Sequence, residues 1–277
     1  MDGTRLDVLV PSSLVREAED GREATRKLGY VARAATVFRA DRLVVFPDGE
    51  GERRWGGEYV RTVLEYCATP SYLRKEVWGM REELRDVGVL PPMRPDTSGP
   101  DGSELRDGIV TEVGPEGRVR VNCGLQHPIS LRLPPGREAT EGERVTVRVS
   151  SREPVRARVV DDPAPGFRVA GEDISDALAA ADVAVATSRH GRPLSVSGLG
   201  DLHARLRDEH VAVAFGAPGR GLPAILGVDP EEVPVEPGAI DDSGFDLWLN
   251  TIPRQGSEVV RTEEAVFATL SPLTLTE

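Results

Sequence analysis

Short, nearly continuous apolar runs recur along this chain, and several open into a polar stretch. Residues 6–10, Arg42–Phe46 (RLVVF), 183–186, 211–215 and the run Phe245, Leu247, Leu249 have the length and apolar density of parallel strands covered on both faces. Between the first two, residues 24–38 place Leu28, Val31, Ala32, Ala35 and Phe38 on one side of an amphipathic helix. Residues 59–68 predict another helix, and 71–84 are rich in aromatic and basic side chains. A last helix is expected to open at Thr262, with Thr262 as N-cap, Glu263 and Glu264 at the positive end of its dipole, and an apolar stripe of Val266, Phe267 and Leu270. The pattern is that of an α/β protein.

The pattern changes at Pro91-Pro92. Pro95, Gly99, Pro100 and Gly102 mark a linker, and from 106 to 160 the signal is of short strands separated by turns. The expected strands are 108–113, 118–121, 128–133, 144–149 and 155–160, with turns at 114–117, 134–136 and 141–142. Five short strands in so small a span suggest a closed barrel of the oligonucleotide-binding (OB) type. A structural spacer is the plain alternative. Residues 161–166 close this module and the α/β pattern resumes, so the barrel is inserted. The division expected is one discontinuous α/β domain over 1–90 and 166–277, with 91–165 inserted into it.

The polar loops carry the candidate chemistry. Residues 187–191 (TSRHG), 216–222 (GAPGRGL) and 250–262 would leave one edge of a parallel sheet together, where glycines let backbone N–H groups approach a ligand. Gly216, Gly219 and Gly221 do not make a dinucleotide fingerprint: the spacing is wrong, Pro223 interrupts the helix that should follow, and no acidic ribose ligand is placed after a second strand. No Lys-Ser/Thr pair makes a phosphate-binding loop. Cys67 and Cys123 are too few for a disulfide framework, and His127, His190, His203 and His210 lack metal-ligand spacing, so no metal is expected. No signal segment or apolar run long enough to span a membrane is found, which points to a cytoplasmic protein.

The formal net charge is −12, from 46 acidic and 34 basic residues. Such a balance normally argues against nucleic acid. The bases are nearly all Arg, however, with Lys27 and Lys75 the exceptions, and Arg is the better bidentate ligand for phosphates and bases. Acid excess with scarce Lys also fits adaptation to high salt, as in a halophile, or a GC-rich genome, so net charge reports the environment rather than the partner.

Seven segments, in order and spread over nearly the whole chain, resemble one known family. They are VLVPSSL (8–14), YVARAATVFRADRLVVF (30–46), SYLRKEVW (71–78), LRDGIVTEV (105–113), VNCGLQ (121–126), VAVAFGAPGRGL (211–222) and NTIPRQGSEVVRTEEA (250–265). Together they are similar to the SPOUT-class RNA methyltransferases, and more narrowly to the archaeal and eukaryotic branch with an inserted OB-like barrel, associated with N3 methylation of uridine in ribosomal RNA. With the salt-adapted composition, the resemblance is to a haloarchaeal member. It implies a trefoil-knot methyltransferase domain, S-adenosyl-L-methionine held bent by three knot loops, and a homodimer with its sites near the subunit interface. It implies that Thr187, Arg189, Gly216, Gly219, Gly221, Asn250, Ile252, Gln255, Gly256, Ser257 and Thr262 hold the cofactor.

The same resemblance singles out Arg33, in the helix before the strand Arg42–Phe46, as similar to a position where related enzymes place an Arg for RNA or catalysis. A solvated helix Arg is the plain alternative. Uridine N3 is a poor nucleophile until its proton leaves, so a cation near O2 or O4 would help, and Arg33 or Arg261 could serve. Glu263 or Glu264 could act as base, or only stabilise the helix start. For RNA, Arg74 and Lys75 lie beside Tyr72 and Trp78, and Arg118, Arg120, Arg132 and Arg148 could track a backbone. Equally, these are the solvent face of an acidic protein. The competing reading from another class is an RNA-binding or ribosome-assembly protein on the same fold with little or no catalysis. An unrelated small-molecule α/β enzyme would leave the inserted barrel without evident use.

Overall fold

The structure, a computed structural model, describes residues 3–235 and 243–275. Two compact units emerge: Met1–Ala68, Glu82–Met93 and Phe167–Glu277 form the first, and Thr69–Arg81 with Arg94–Gly166 form the second. The first unit begins with β1 (Arg5–Pro11), α1 (Gly21–Val37), β2 (Arg42–Phe46) and α2 (Gly57–Ala68). α1 starts three residues before the apolar pattern does, because Asp20 caps it: its Oδ1 accepts the Glu23 N–H at 2.7 Å. It stops where Phe38 donates its N–H back to the Ala34 carbonyl and Arg39 turns left-handed at φ 53°.

The second unit carries α3 (Arg74–Val77), β3 (Glu104–Val113), β4 (Arg118–Asn122), β5 (Ile129–Arg132), β6 (Arg144–Arg152) and β7 (Val155–Val160). The five strands form one antiparallel sheet in the order β5-β4-β3-β6-β7. Alternation sets its inner face, where Val119 and Val121 meet Val145, Val147, Val149 and Val159. The aromatic-basic segment Thr69–Arg81, which the pattern leaves with the first ninety residues, belongs to this unit. The Tyr72 hydroxyl donates to the Asp107 carbonyl at 2.8 Å, and the Arg106 guanidinium lies 5.2 Å from the Tyr72 ring centre. Gly124, at φ 74°, admits that ring, since a Cβ there would lie 2.6 Å from it.

The first unit then resumes with β8 (Arg168–Gly171), α4 (Ile174–Ala179), β9 (Val183–Pro193), α5 (Leu199–Leu206), β10 (His210–Ala214), α6 (Leu222–Leu226), β11 (Leu247–Asn250) and α7 (Thr262–Leu273). Its sheet is parallel throughout, in the order β11-β9-β10-β1-β2-β8. One face of the sheet presents Leu9, Val44, Phe46, Ala184, Ala186, Ala212 and Ala214 to Ala177, Leu178 and Leu222. The alternate residues Val8, Val10, Leu43, Val45, Val185 and Val213 are equally buried, as strands covered on both faces require. Among the described residues no helix is long and apolar enough to cross a membrane.

Two local expectations change. α6 does form, beginning at Leu222; Pro223 sits in its first turn, where the missing N–H breaks no helical bond. Thr262 is the first residue of α7 and not its cap. Arg261 occupies the cap position and donates its N–H to Glu264 Oε2 at 2.9 Å, while the Thr262 hydroxyl is drawn elsewhere. β8 had no sequence signal, because RVAG is only partly covered and pairs on one side, with β2, at the sheet edge.

Candidate active site

Because every strand of the first unit is parallel, the segments leaving β1, β2, β9, β10 and β11 emerge on one edge. Three of them enclose a cleft of ≈ 310 Å³. Thr187, Ser188, Arg189 and His190 come from β9, Gly216, Ala217 and Gly219 to Gly221 from the segment after β10, and Asn250 to Ile252, Gln255, Glu258 to Val260 and Thr262 from the segment after β11. The 187–191 stretch lies within β9 yet leaves its ladder: Ala186 pairs with Trp248 while Arg192 pairs with the next residue, Leu249, so five residues arch out between. Gly191 is required there, as a Cβ would lie 2.7 Å from the Trp248 carbonyl carbon.

Hydrogen bonds between these segments fix the walls. Asn250 Nδ2 donates to the Arg189 carbonyl at 3.0 Å, and its Oδ1 accepts the Ile252 N–H at 3.1 Å. The Thr187 hydroxyl donates to the Ala214 carbonyl at 2.8 Å. The hydroxyl of Thr262, buried at the start of α7, donates to the Gly216 carbonyl at 2.8 Å, tying the last helix to the glycine segment. Ala217 and Arg220 exchange backbone hydrogen bonds of 2.9 and 3.0 Å around Pro218 and Gly219, the latter at φ 68°. Proline followed by a residue at positive φ is the signature of a type II turn.

Of the sequence-derived ligands, Thr187, Arg189, Gly216, Gly219, Gly221, Asn250, Ile252, Gln255 and Thr262 all line the cleft. Gly256 and Ser257 do not. The Ser257 hydroxyl donates to the Val259 carbonyl at 2.8 Å, and Gln255 Nε2 to the Ser257 carbonyl at 2.9 Å, so this turn braces itself. Asn250 and Thr262 likewise spend side-chain bonds on the walls. Arg33 and Arg261 stand apart from the cleft. With Arg26, Tyr30, Glu263 and Phe267 they line a groove between α1 and α7, where Arg33 Nη1 donates to the Met93 carbonyl.

The cleft is small and lined mostly by neutral residues, with Arg189, His190, Arg220 and Glu258 the charged or titratable side chains on its wall, a size that suits a small-molecule ligand. A family profile described as "Putative RNA methyltransferase" matches residues 5–273. The chain belongs to this family. It is 64% identical, over 98% of its own length and 99% of the other's, to an uncharacterized protein of Halobacterium salinarum. It is 60% identical, over the same shares, to one of Haloarcula marismortui. It is 28% identical to the human 28S rRNA (uridine-N(3))-methyltransferase, over 97% of this chain and 77% of the human protein.

The methyltransferase family makes other surface residues relevant. In the second unit Lys75, Arg118 and Arg120 are exposed and Arg74 is half-buried, its Nε donating to the Thr69 carbonyl at 3.0 Å. The Trp78 indole donates to Thr69 Oγ1 at 3.0 Å, with Arg81 over the ring at 5.4 Å. In the first unit, sequence reading passed over a second set: Ser12 and Ser13 after β1, Asp48 and Glu50 after β2, and Arg220. Their signal was faint, a pair of serines and an Asp-Gly at strand ends, and both are ordinary in turns.

Proposed function

We propose that this chain transfers the methyl group of S-adenosylmethionine to N3 of a uridine in ribosomal RNA. The observation that supports this most is the three-segment cleft at the carboxyl edge of a parallel sheet, in a chain alignable over 97% of its length with a 28S rRNA (uridine-N(3))-methyltransferase. The walls fit the cofactor: glycines at 216, 219 and 221 keep side chains off the lining, while Thr187, Asn250, Ile252, Gln255 and Thr262 offer backbone or neutral polar groups. The cofactor supplies an electrophilic methyl on a sulfonium. Arg189 closes one rim, and Gly256 and Ser257 hold the turn beneath Gln255.

The first unit is read as a trefoil knot. β11 lies beside β9 at the edge, and Thr262 hooks α7 under the segment after β10, which supports a threaded carboxyl end. The second unit, Thr69–Arg81 with Arg94–Gly166, is read as an inserted OB-like module that carries RNA on Arg118 and Arg120, with Arg74 and Lys75 contributing from its first segment. The active form is read as a cytoplasmic homodimer of a halophile, without metal. Tyr30 and Val37, exposed on α1, offer an apolar patch for a second copy, and since Arg33 and Arg261 do not line their own chain's cleft, a catalytic part for either would be played at the cleft of that copy.

Isothermal titration in high-salt buffer tests the reading, using S-adenosylmethionine and S-adenosylhomocysteine. Micromolar binding followed by a new N3-methyluridine in treated ribosomal RNA is expected. If neither ligand binds, the enzyme reading fails and an RNA-binding protein on this fold is left.

A further inference from the structure

The cleft's glycine segment contributes one strongly anchored cation. Arg220 Nε lies 3.1 and 3.2 Å from the two carboxylate oxygens of Asp48, and Nη2 lies 3.3 Å from Glu50 Oε2. Asp48 is itself 5% exposed. It accepts the Ser13 hydroxyl at 2.5 Å, and its N–H donates to Ser12 Oγ at 2.9 Å. Gly51 closes over this carboxylate so tightly that a Cβ would lie 1.9 Å from Asp48 Oδ2. The exits of β1, β2 and β10 therefore meet at the Asp48 carboxylate, and the guanidinium it holds also lines the cleft. Among the described residues its Nη1 has no hydrogen-bond partner.

The place of this guanidinium follows from strand order. The segments after β11, β9 and β10 enclose the cleft, and β1 and β2 come next along the same edge. Arg220 thus stands on the β1 side of the cleft, where it bonds Asp48 and Glu50 in the segment after β2. The Arg220 side chain is 20% exposed, so Asp48 and Glu50 hold its Nε and Nη2 side while the guanidinium still reaches the cleft. Uracil presents two acceptors, O2 and O4, and both gain negative charge as N3 loses its proton.

We propose that Arg220 is the acceptor-side cation of the methyl transfer, donating from its guanidinium to a uracil carbonyl oxygen, with Asp48 and Ser13 as its positioning residues. This rests on the function proposed above and assigns to Arg220 the part that sequence reading gave to Arg33 or Arg261. The balance is simple. The N3 proton passes to solvent, the N3 lone pair forms the new N–C bond, and the S–CH3 bond breaks with its electron pair retained by sulfur. Arg220 exchanges no proton; it lowers the energy of the imide anion from which the lone pair comes.

The test uses full-length wild type, Arg220→Gln, Arg220→Lys and Asp48→Asn. Each is titrated with S-adenosylhomocysteine and then assayed on unmodified large-subunit ribosomal RNA of Halobacterium salinarum, transcribed in vitro, across pH. Arg220→Gln should keep S-adenosylhomocysteine affinity while kcat falls by about 10²–10³. Its rate should go on rising with pH where the wild-type rate has levelled, because hydroxide makes up for the missing stabilisation of the anion. Arg189, His190 and Glu258, the other charged or titratable side chains lining the cleft, and Asp48 and Glu50 facing Arg220, are common to wild type and the Arg220 variants, so the difference between the two profiles isolates Arg220. Arg220→Lys keeps the charge without the planar fork and should recover part of kcat, and Asp48→Asn should lower kcat with a smaller change in pH profile.

Wild-type kcat in Arg220→Gln, or an equal fall in kcat at every pH, overturns the proposal. So does loss of S-adenosylhomocysteine binding by a folded Arg220→Lys, which would make Arg220 a strut of the cofactor wall. Wild type that binds neither ligand, or binds and methylates no RNA, sinks the functional reading itself and the inference falls with it.

Discussion

At the residue scale, two buried carboxylates make opposite demands. Glu263, in the first turn of α7, is 8% exposed and its Oε2 has no hydrogen-bond partner. Burial first of all pushes its carboxyl above the ordinary range. A carboxyl with a raised folded pKa holds its proton better when folded, so it stabilises least once pH has risen through that value. Glu263→Gln should therefore raise the unfolding temperature at neutral pH, with the gain fading near about pH 4, where both states are protonated. Asp7, fully buried in β1, is different because it is paired: Arg42 Nη2 lies 2.7 Å and His210 Nε2 2.8 Å from its Oδ2. Asp7→Ala leaves His210 without its carboxylate and Arg42 with Glu172 alone, 3.0 Å from its Nη1, and should cost about 3 kcal/mol, read as a lower urea midpoint. Glu104 shows the remaining sign. Its bonds to Arg152 hold its carboxyl below the ordinary range, so its contribution is present above that range and is lost as pH falls through the lowered value.

At the element scale, the glycine segment after β10 separates packing from conformation. A Cβ on Gly216 would lie 2.7 Å from both Gly221 Cα and Leu222 N, and backbone cannot swing aside as a side chain can. Gly219 has open space around it and only its φ of 68° to satisfy. Gly216→Ala should therefore weaken S-adenosylhomocysteine binding by more than about tenfold, and Gly219→Ala should leave it nearly unchanged at a cost of roughly 1–2 kcal/mol in stability. Calorimetry and thermal melts on the two variants check the pair. Sequence could name both glycines but could not rank them, because the close approach is between residues brought together by the turn. The strands β1, β2, β9, β10 and β11 were legible because each is apolar on both faces. β8 was not, because an edge strand needs no such density.

At the scale of the whole molecule, the chain is acidic at −12 while its second unit displays arginines on β4 and β5. Cross-strand pairing sets Arg118 opposite Arg132, and among the described residues Arg120 and Arg132 meet acids only at 3.8–3.9 Å. If this face meets RNA, Arg118→Ala and Arg120→Ala should each lessen the slope of log affinity against log salt by about 1, with cofactor binding untouched. Fluorescence anisotropy over a potassium chloride series reads this, and unchanged slopes would make these arginines solvent ornament to an acidic surface.

Periodicity by itself determined the α/β class, five of the six parallel strands, the strand-rich insertion and the three segments that enclose the cleft. These are local properties: each strand's burial is written in its own run of apolar residues, and each exit in its own glycines. Tertiary structure alone decided what lies beside what. It parted Arg33 and Arg261 from the cleft, turned Thr262 from a helix cap into a tie to Gly216, and moved Thr69–Arg81 into the second unit. It also joined Ser13, Asp48 and Arg220, whose sequence separations of 35 and 172 residues carry no periodic signal. Such contacts depend on strand order, and strand order is fixed by the packing of the whole sheet rather than by any one segment.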